Sequence, residues 1–568
     1  MATALKADAS ILPHDRILID GEWRSPLRAA HWKATHRSQS GYGREGARIG
    51  IEELLRPKNV HPPLQDSEIG WRMAATSFSQ ASIPPRSSIM TLQTLPPYRD
   101  RALIGGEWVS GTATTDIHDP ATGAIIAQVP ALGAEEADRA IAAAERAQIA
   151  WRARPAIERA DLLHAWHALI LRHKDALAAI LTAEQGKPLA EAAGEIAYAA
   201  SFVRWFAEEA RRIDGEIIPA PRSNQRVLVW KEPVGVVAAI TPWNFPAAMV
   251  TRKVAPALAA GCAVILKPAP ETPLTALALA GLAEEAGIPA GLFNVVTGDA
   301  QAIGGAFMQS PVVRKLSFTG STAVGQMLYA QAAPTLKRLS LELGGNAPFL
   351  VFEDADIEAA ADGAMLGKFR NAGQTCVCVN RFLVHDKVHD AFVAALAARM
   401  DRLVVGPGTH PQSTIGPLIN QRAVMKVEQH VADAIARGGK LVTGGALDHD
   451  LFFTPTLIAD VPADAIIARE ETFGPVAGII RFSDEADAIR MANDTEFGLA
   501  AYVYTRDIGR AMRVSGALEY GMIGLNEAAI STEVAPFGGI KASGQGREGS
   551  RHGIQEYLEL KYVMMGGL

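Results

Sequence analysis

Lys315-Leu-Ser-Phe318-Thr-Gly320-Ser321-Thr-Ala-Val-Gly325 reads as one strand-to-helix unit. Residues 315–318 suit a strand, Gly320 permits a tight turn, and Ser321 is a good helix N-cap. The free N–H groups of the helix so opened could hold a pyrophosphate, and glycines at 320 and 325 allow close approach. The same order recurs on both sides. Strand-like runs at 234–240, 263–266, 293–296 and 349–352 are mostly separated by helical patterns such as 274–286. That alternation predicts a doubly wound, largely parallel sheet. A second series comes at 382–384, 476–481, 501–504 and 522–525, while 134–212 is helical, alanine-rich and charged. The expected fold is therefore α/β, with two doubly wound lobes and a cleft between them.

Composition sets outer limits on function. A chain of 568 residues, 48% hydrophobic and 20% charged, can bury large cores and divide into two or three domains. A formal charge of -6 gives no reason to expect nucleic acid as a partner. Three cysteines cannot build a secreted disulfide framework, and no N-terminal stretch has the order of a signal peptide. The long uncharged run 233–251 holds Pro233, Pro242, Asn244 and Pro246, which argues against a membrane span. A cytoplasmic protein without a membrane partner is expected.

The chain has a seam near residue 90. Residues 1–89 carry 12 Lys/Arg and 9 Asp/Glu, a net +3, which leaves 43 against 52, or -9, for the rest. Residues 38–88 are rich in Ser, Gly, Pro and Arg, so a poorly structured extension is expected. Asp15-Arg-Ile-Leu-Ile-Asp-Gly-Glu-Trp23 matches Asp100-Arg-Ala-Leu-Ile-Gly-Gly-Glu-Trp108 at seven of nine positions. The first copy reads as a partial repeat of the domain start, with Met90 a plausible natural start. A transit peptide would avoid the acidic residues Asp8, Asp15, Asp20 and Glu22.

Two segments carry chemistry. Phe369-Arg-Asn-Ala-Gly-Gln-Thr-Cys376-Val-Cys378 sets a cysteine among small, polar, turn-forming residues, where a thiol can meet a ligand. Leu341-Glu342-Leu-Gly-Gly-Asn-Ala-Pro348 puts one carboxylate inside an apolar strand pattern ending at two glycines. A cysteine nucleophile and a carboxylate base across one cleft would do acyl chemistry. Cys262, in an apolar strand entry, reads as structural. A zinc site from Cys376, Cys378, His385 and His389 would have Cys-x-Cys spacing tighter than usual, so no metal is expected. A cysteine–histidine protease or acyltransferase would need a histidine oriented by Asn or Asp, and none of the 14 histidines is singled out. The literal Gly-x-Gly-x-x-Gly at Gly544, Gly546 and Gly549 leaves too little chain to complete a βαβ unit.

The Cys376 and Glu342 segments resemble the signatures of the aldehyde dehydrogenase family, and the resemblance runs from about 90 to 568. Within the family it is nearest the succinate-semialdehyde dehydrogenases. The resemblance implies a nicotinamide-cofactor domain from 90–213 and 236–344, a catalytic domain from 345–528, and a small oligomerisation flap from 214–235 and 529–568. It implies that Cys376 attacks the aldehyde carbon, with the oxyanion held by the Asn244 amide and the Cys376 N–H. After hydride transfer, Glu342 would deprotonate the water that releases the acid.

For the cofactor it implies Thr241, Trp243, Lys267, Pro270, Gly320, Ser321, Gly325, Glu471 and Phe473. Pro270 stands where NAD-preferring members often carry Glu, so it presents no carboxylate to repel a 2′-phosphate. NADP is expected ahead of NAD, with Glu271 next door as a partial substitute. For the substrate, Arg252, Arg370 and Ser531 match the positions that bind a semialdehyde's far carboxylate. Succinic semialdehyde is the expected substrate and glutaric semialdehyde the alternative. The expected assembly is a homo-oligomer, a tetramer or dimer. A non-catalytic member of the fold would not need intact Cys376, Glu342, Asn244 and Lys267. A CoA-acylating relative would usually lack the base at Glu342.

Overall fold

The structure, a computed structural model, describes residues 92–568 and the short strands Ile17–Ile19 and Glu22–Arg24. Chain contacts divide it into Met1–Ser87 and Ser88–Leu568. The loosely packed character expected of 38–88, and the start at Met90, lie outside the described residues.

In the first unit Ile17–Ile19 pairs antiparallel with Glu22–Arg24, Leu18 opposite Trp23. In the second, Ala102–Ile104 pairs with Glu107–Val109, Leu103 opposite Trp108. The sequence repeat is thus a repeat of hairpin register. The second copy joins an eight-stranded sheet; among the described residues the first forms a two-stranded sheet. A chain beginning at Met90 is accordingly expected to fold and turn over like the full chain. Soluble yield and specific activity of the two, measured side by side, check this, and loss of either on truncation would make residues 1–89 structural.

The eight-stranded sheet runs Gly544–Gln545, Arg338–Glu342, Val313–Thr319, Val236–Ile240, Ala263–Lys267, Phe293–Val295, Ala102–Ile104, Glu107–Val109. Its five central strands are parallel and both ends are closed by antiparallel pairing. Parallel strands covered by helices on both faces must be apolar throughout, and Ala263–Lys267 is buried at every position. Four helices carry or precede residues of the site: α1 (Leu189–Glu209), α2 (Ala248–Ala260), α3 (Thr322–Ala332) and α4 (Ile357–Phe369).

A seven-stranded sheet forms the other lobe, in the order Lys440–Thr443, Thr456–Ala459, Val476–Phe482, Val379–His385, Ala347–Val351, Ala500–Tyr504, Met522–Leu525. Alternate side chains feed two cores: Phe349 and Val351 enter one, Leu350 and Phe352 the other. A three-stranded antiparallel sheet, Leu558–Gly566 with Gln225–Pro233 and Glu216–Ile218, stands apart from both. Residues 233–251, the long uncharged run, divide between a strand, a turn and the start of α2. Among the described residues no helix is long and apolar enough to cross a membrane.

Candidate active site

The ligand side of an open α/β sheet lies beyond the carboxyl ends of its parallel strands. Four expected site segments sit there. Thr241–Asn244 follows Val236–Ile240, Lys267 ends Ala263–Lys267, Gly320 and Ser321 follow Val313–Thr319, and Glu342 ends Arg338–Glu342. Cys376 comes from the other lobe, in the loop between α4 and Val379–His385.

That loop is held by force. Asn371, Ala372 and Gly373 take left-handed φ of 52°, 53° and 75° in succession. For the first two this costs about 1–2 kcal/mol each. Hydrogen bonds hold the shape: the Asn371 amide donates to the Asn244 carbonyl at 3.0 Å, and the Asn371 N–H to Glu191 at 2.8 Å. Gln374 donates to the Pro417 carbonyl and accepts from the Ile419 N–H at 3.0 Å. At Gly373 a Cβ would lie 2.2 Å from the Gly474 carbonyl oxygen, so no other residue fits.

Asn244 is buried, and its side-chain amide donates to the Gln374 carbonyl at 3.0 Å, two residues before Cys376. Its own carbonyl accepts from Lys187 at 2.8 Å, and Lys187 pairs with Glu195 at 2.6 Å. Glu195 in turn accepts from the Ala247 and Ala248 N–H groups at the start of α2. A negative charge there caps a helix that has no side-chain cap of its own.

Cys376 is half-buried, whereas Cys262 and Cys378 are buried. Burial pushes the Cys376 thiol up to about 12, with Arg252 pulling the other way. It rests as a neutral thiol. Cys378 donates to the Lys368 carbonyl at 3.4 Å, and Cys262 to the Tyr557 carbonyl at 3.5 Å. His385 and His389 engage Glu353, Asp390 and Asp460 rather than either thiol.

Glu342 is buried, and among the described residues neither carboxylate oxygen has a hydrogen-bond partner. Burial first, and the Glu548 carboxylate second, raise its pKa well above the ordinary value against Arg252 and Lys253. Glu548 is as deeply buried. Its ion pairs with Lys253 and with Arg252, the latter at 2.8 Å, outweigh burial and hold it below the usual range. Of two carboxyls that cannot both ionise cheaply, Glu342 is the one that keeps its proton. Lys253 also donates to Thr319 at 2.6 Å, which ties the cluster to the sheet.

The expected cofactor residues come from both lobes, Glu471 and Phe473 from the segment before Val476–Phe482 of the seven-stranded sheet and the others from the eight-stranded lobe. The Ser321 hydroxyl accepts from the Val324 N–H at 3.4 Å, so it caps α3. Gly325 lets α3 pack close: a Cβ there would meet Leu343 at 2.4 Å. Lys267 is buried and donates to the Pro268 carbonyl at 3.1 Å, and Pro270 is exposed beside it. Trp243 meets Phe473 edge-on, ring centroids 5.6 Å apart, and Phe473 has a left-handed φ of 56°. Glu471 accepts from the Gly345 N–H at 3.2 Å, and burial raises it to about 7.

A carboxylate that must accept from a ribose diol works only when ionised. If Glu471 does so, cofactor affinity should weaken as pH falls through 7, by up to about tenfold per unit below it. Calorimetric NAD titrations at pH 6, 7 and 8 read this directly. A slope unchanged in Glu471→Gln would put the proton elsewhere.

The substrate residues divide. Arg370 and Ser531 line one cleft of about 60 Å³ with Leu366, Ala529 and the two chain neighbours of Cys376, Thr375 and Val377; Cys376 itself is not on that lining. Such a space suits the tail of a short chain. Arg370 stacks over Phe245 at 5.0 Å. Arg252 is not among the cleft's lining. It is fully buried, stacked over Phe537 at 3.9 Å and paired with Glu548.

Residue-level reading missed Glu548, Lys253, Lys187, Glu195 and Glu191. Glu548 lies inside the Gly544–Gly549 run set aside as a cofactor fingerprint. That run pairs antiparallel with Arg338–Glu342, Gly544 opposite Glu342, and so carries Glu548 to the base. The available signal was an acidic residue among closely spaced glycines.

Comparisons with known proteins fit this geometry. Residues 108–563 match the model of the aldehyde dehydrogenase family. Succinate semialdehyde dehydrogenase of Acinetobacter baylyi is 59% identical over 483 residues, 84% of this chain and 100% of its own length. Glutarate-semialdehyde dehydrogenase of Pseudomonas aeruginosa is 56% identical over 484 residues, again 84% and 100%. The crystal structure of an E. coli NADP-dependent enzyme superposes with a TM-score of 0.82 at 57% identity, covering 83% of this chain and 98% of that one. With its α/β lobes, its cleft thiol and these matches, the chain belongs to the aldehyde dehydrogenase family.

Proposed function

We propose that the protein oxidises succinic semialdehyde, or a close ω-semialdehyde acid, to the dicarboxylate. The observation that carries this is the cleft lined by Thr375 and Val377, the chain neighbours of Cys376, where Arg370 and Ser531 offer a guanidinium and a hydroxyl to an anion. A guanidinium binds a carboxylate with paired, charge-assisted donors. The names of the two relatives agree on a terminal semialdehyde acid and differ by one methylene. One methylene is worth only about 1–3 kcal/mol in an apolar pocket, so glutaric semialdehyde is the second reading.

In this reading Cys376 attacks the aldehyde carbon, and its proton leaves towards solvent. Asn244, positioned by Lys187 and Asn371, and the Cys376 N–H hold the oxyanion. Losing one such donor typically costs about a hundredfold or more in rate. Lys267, Ser321 and the start of α3 suit the phosphates and adenosine ribose of a dinucleotide, and Glu471, Trp243 and Phe473 its nicotinamide end. When bound, the nicotinamide accepts the hydride. Glu342 then takes a proton from water, which cleaves the Cys376 thioester. Pro270, exposed and without charge, favours NADP over NAD. Ile217, Leu560 and Tyr562 are 79%, 69% and 60% exposed on the three-stranded sheet, which supports a homo-oligomer joined there.

Steady-state kinetics on succinic and glutaric semialdehydes with each cofactor test the reading. Highest kcat/KM on one of the two acids with NADP is expected. Equal rates on butanal would rule out recognition of the carboxylate.

A further inference from the structure

One face of α1 lies against the site. Glu191, Glu195, Tyr198 and Phe202 recur at spacings of four, three and four residues and so form one stripe. Three of them have identified partners. Glu191 accepts from the Asn371 N–H at 2.8 Å, Glu195 from Lys187 at 2.6 Å, and Phe202 underlies the Arg252 guanidinium at 5.5 Å. Tyr198 stands between Glu195 and Phe202, its ring edge-on to Phe202 at 4.9 Å. Its hydroxyl is shut off from solvent and, among the described residues, has no hydrogen-bond partner.

A buried hydroxyl without a partner is destabilising unless a ligand completes it. The Arg252 guanidinium lies over the Phe202 ring that Tyr198 meets, and the charges that reach the phenol are those of Arg252, Arg370, Glu548 and the Cys376 thiol. Burial, aided by Glu548 and Cys376, raises the phenol's pKa despite the two arginines, so the O–H stays a donor at neutral pH. A donor left open beside two guanidiniums awaits an anion.

We propose that the Tyr198 hydroxyl is a specificity-determining ligand for the substrate's distal carboxylate, donating to it alongside Arg370. The proposal rests on the ω-semialdehyde-acid reading above. It adds a penalty to the attraction: an uncharged aldehyde of equal length would leave the hydroxyl orphaned in the complex. A site built to satisfy a buried polar group rejects the analogue that cannot.

Tyr198→Phe keeps the ring and its contact with Phe202 and deletes only the oxygen. The ratio of kcat/KM on succinic semialdehyde to that on butanal should fall about 10- to 100-fold, with the loss in KM rather than kcat. Inhibition by succinate, which has the carboxylate and no aldehyde, should weaken by a similar factor. An unchanged ratio and unchanged succinate inhibition in a variant of normal thermal stability would overturn the proposal. If the wild type itself does not prefer succinic semialdehyde to butanal, the substrate reading fails and the role of Tyr198 fails with it. If the wild type prefers the acid and the variant keeps the full preference, only the tyrosine assignment falls.

Discussion

Cys376→Ala is expected to abolish dehydrogenase turnover, while Glu342→Gln should release one burst of NAD(P)H and then stall. Cys376 is the most exposed of the described thiols, and the Asn371–Gly373 turn is strained to present it. Glu342 enters later, because breaking a thioester with water needs a base, whereas forming it needs a thiolate and a hydride acceptor. Burial lifts the thiol to about 12, and burial with Glu548 raises the carboxyl well above its ordinary value. Raising pH deprotonates each, so turnover should climb from neutral into mildly alkaline solution. Stopped-flow absorbance separates the phases. Unchanged steady-state turnover in either variant would sink the assignment.

Arg370→Ala should cost about 10- to 150-fold in kcat/KM on succinic semialdehyde and far less on butanal. A hydrogen bond to a charged group is worth about 1.5–3 kcal/mol, which converts to that range. Arg370 can be removed cleanly: it lines the cleft, stacks on Phe245 and makes no ion pair among the described residues. Arg252 differs. Its loss strips an ion pair from buried Glu548, next to Glu342, so Arg252→Ala should slow both substrates. Kinetics of the two variants on the two aldehydes make a four-way comparison. Equal losses on both aldehydes for Arg370→Ala would make that arginine a support of the loop.

How much of the site is legible in the chain depends on range. The central strands are short apolar runs with glycine at their ends, so local pattern places them and their ligand-facing edges. Glu342 is visible because a carboxylate interrupts such a run, and Cys376 because polar turn residues surround it. Glu548 is different: its partners Arg252 and Lys253 lie 295 or more residues away, and only the pairing of Gly544–Gln545 with the base strand joins them. Tyr198 is hidden for another reason. In an alanine-rich helix it reads as core packing, and its unpaired oxygen exists only in three dimensions. The three-stranded flap likewise depends on pairing Gln225–Pro233 with Leu558–Gly566. Arg252 is legible in sequence as a match to a substrate ligand, whereas its ion pair with Glu548 appears only in the fold.

The most direct test of the covalent mechanism is the mass of the enzyme in mid-turnover. Glu342→Gln mixed with succinic semialdehyde and NADP, quenched in acid and digested, should yield the Cys376 peptide carrying one succinyl group in thioester linkage. NADPH formation without that adduct, or the acyl group on any other residue, would contradict it.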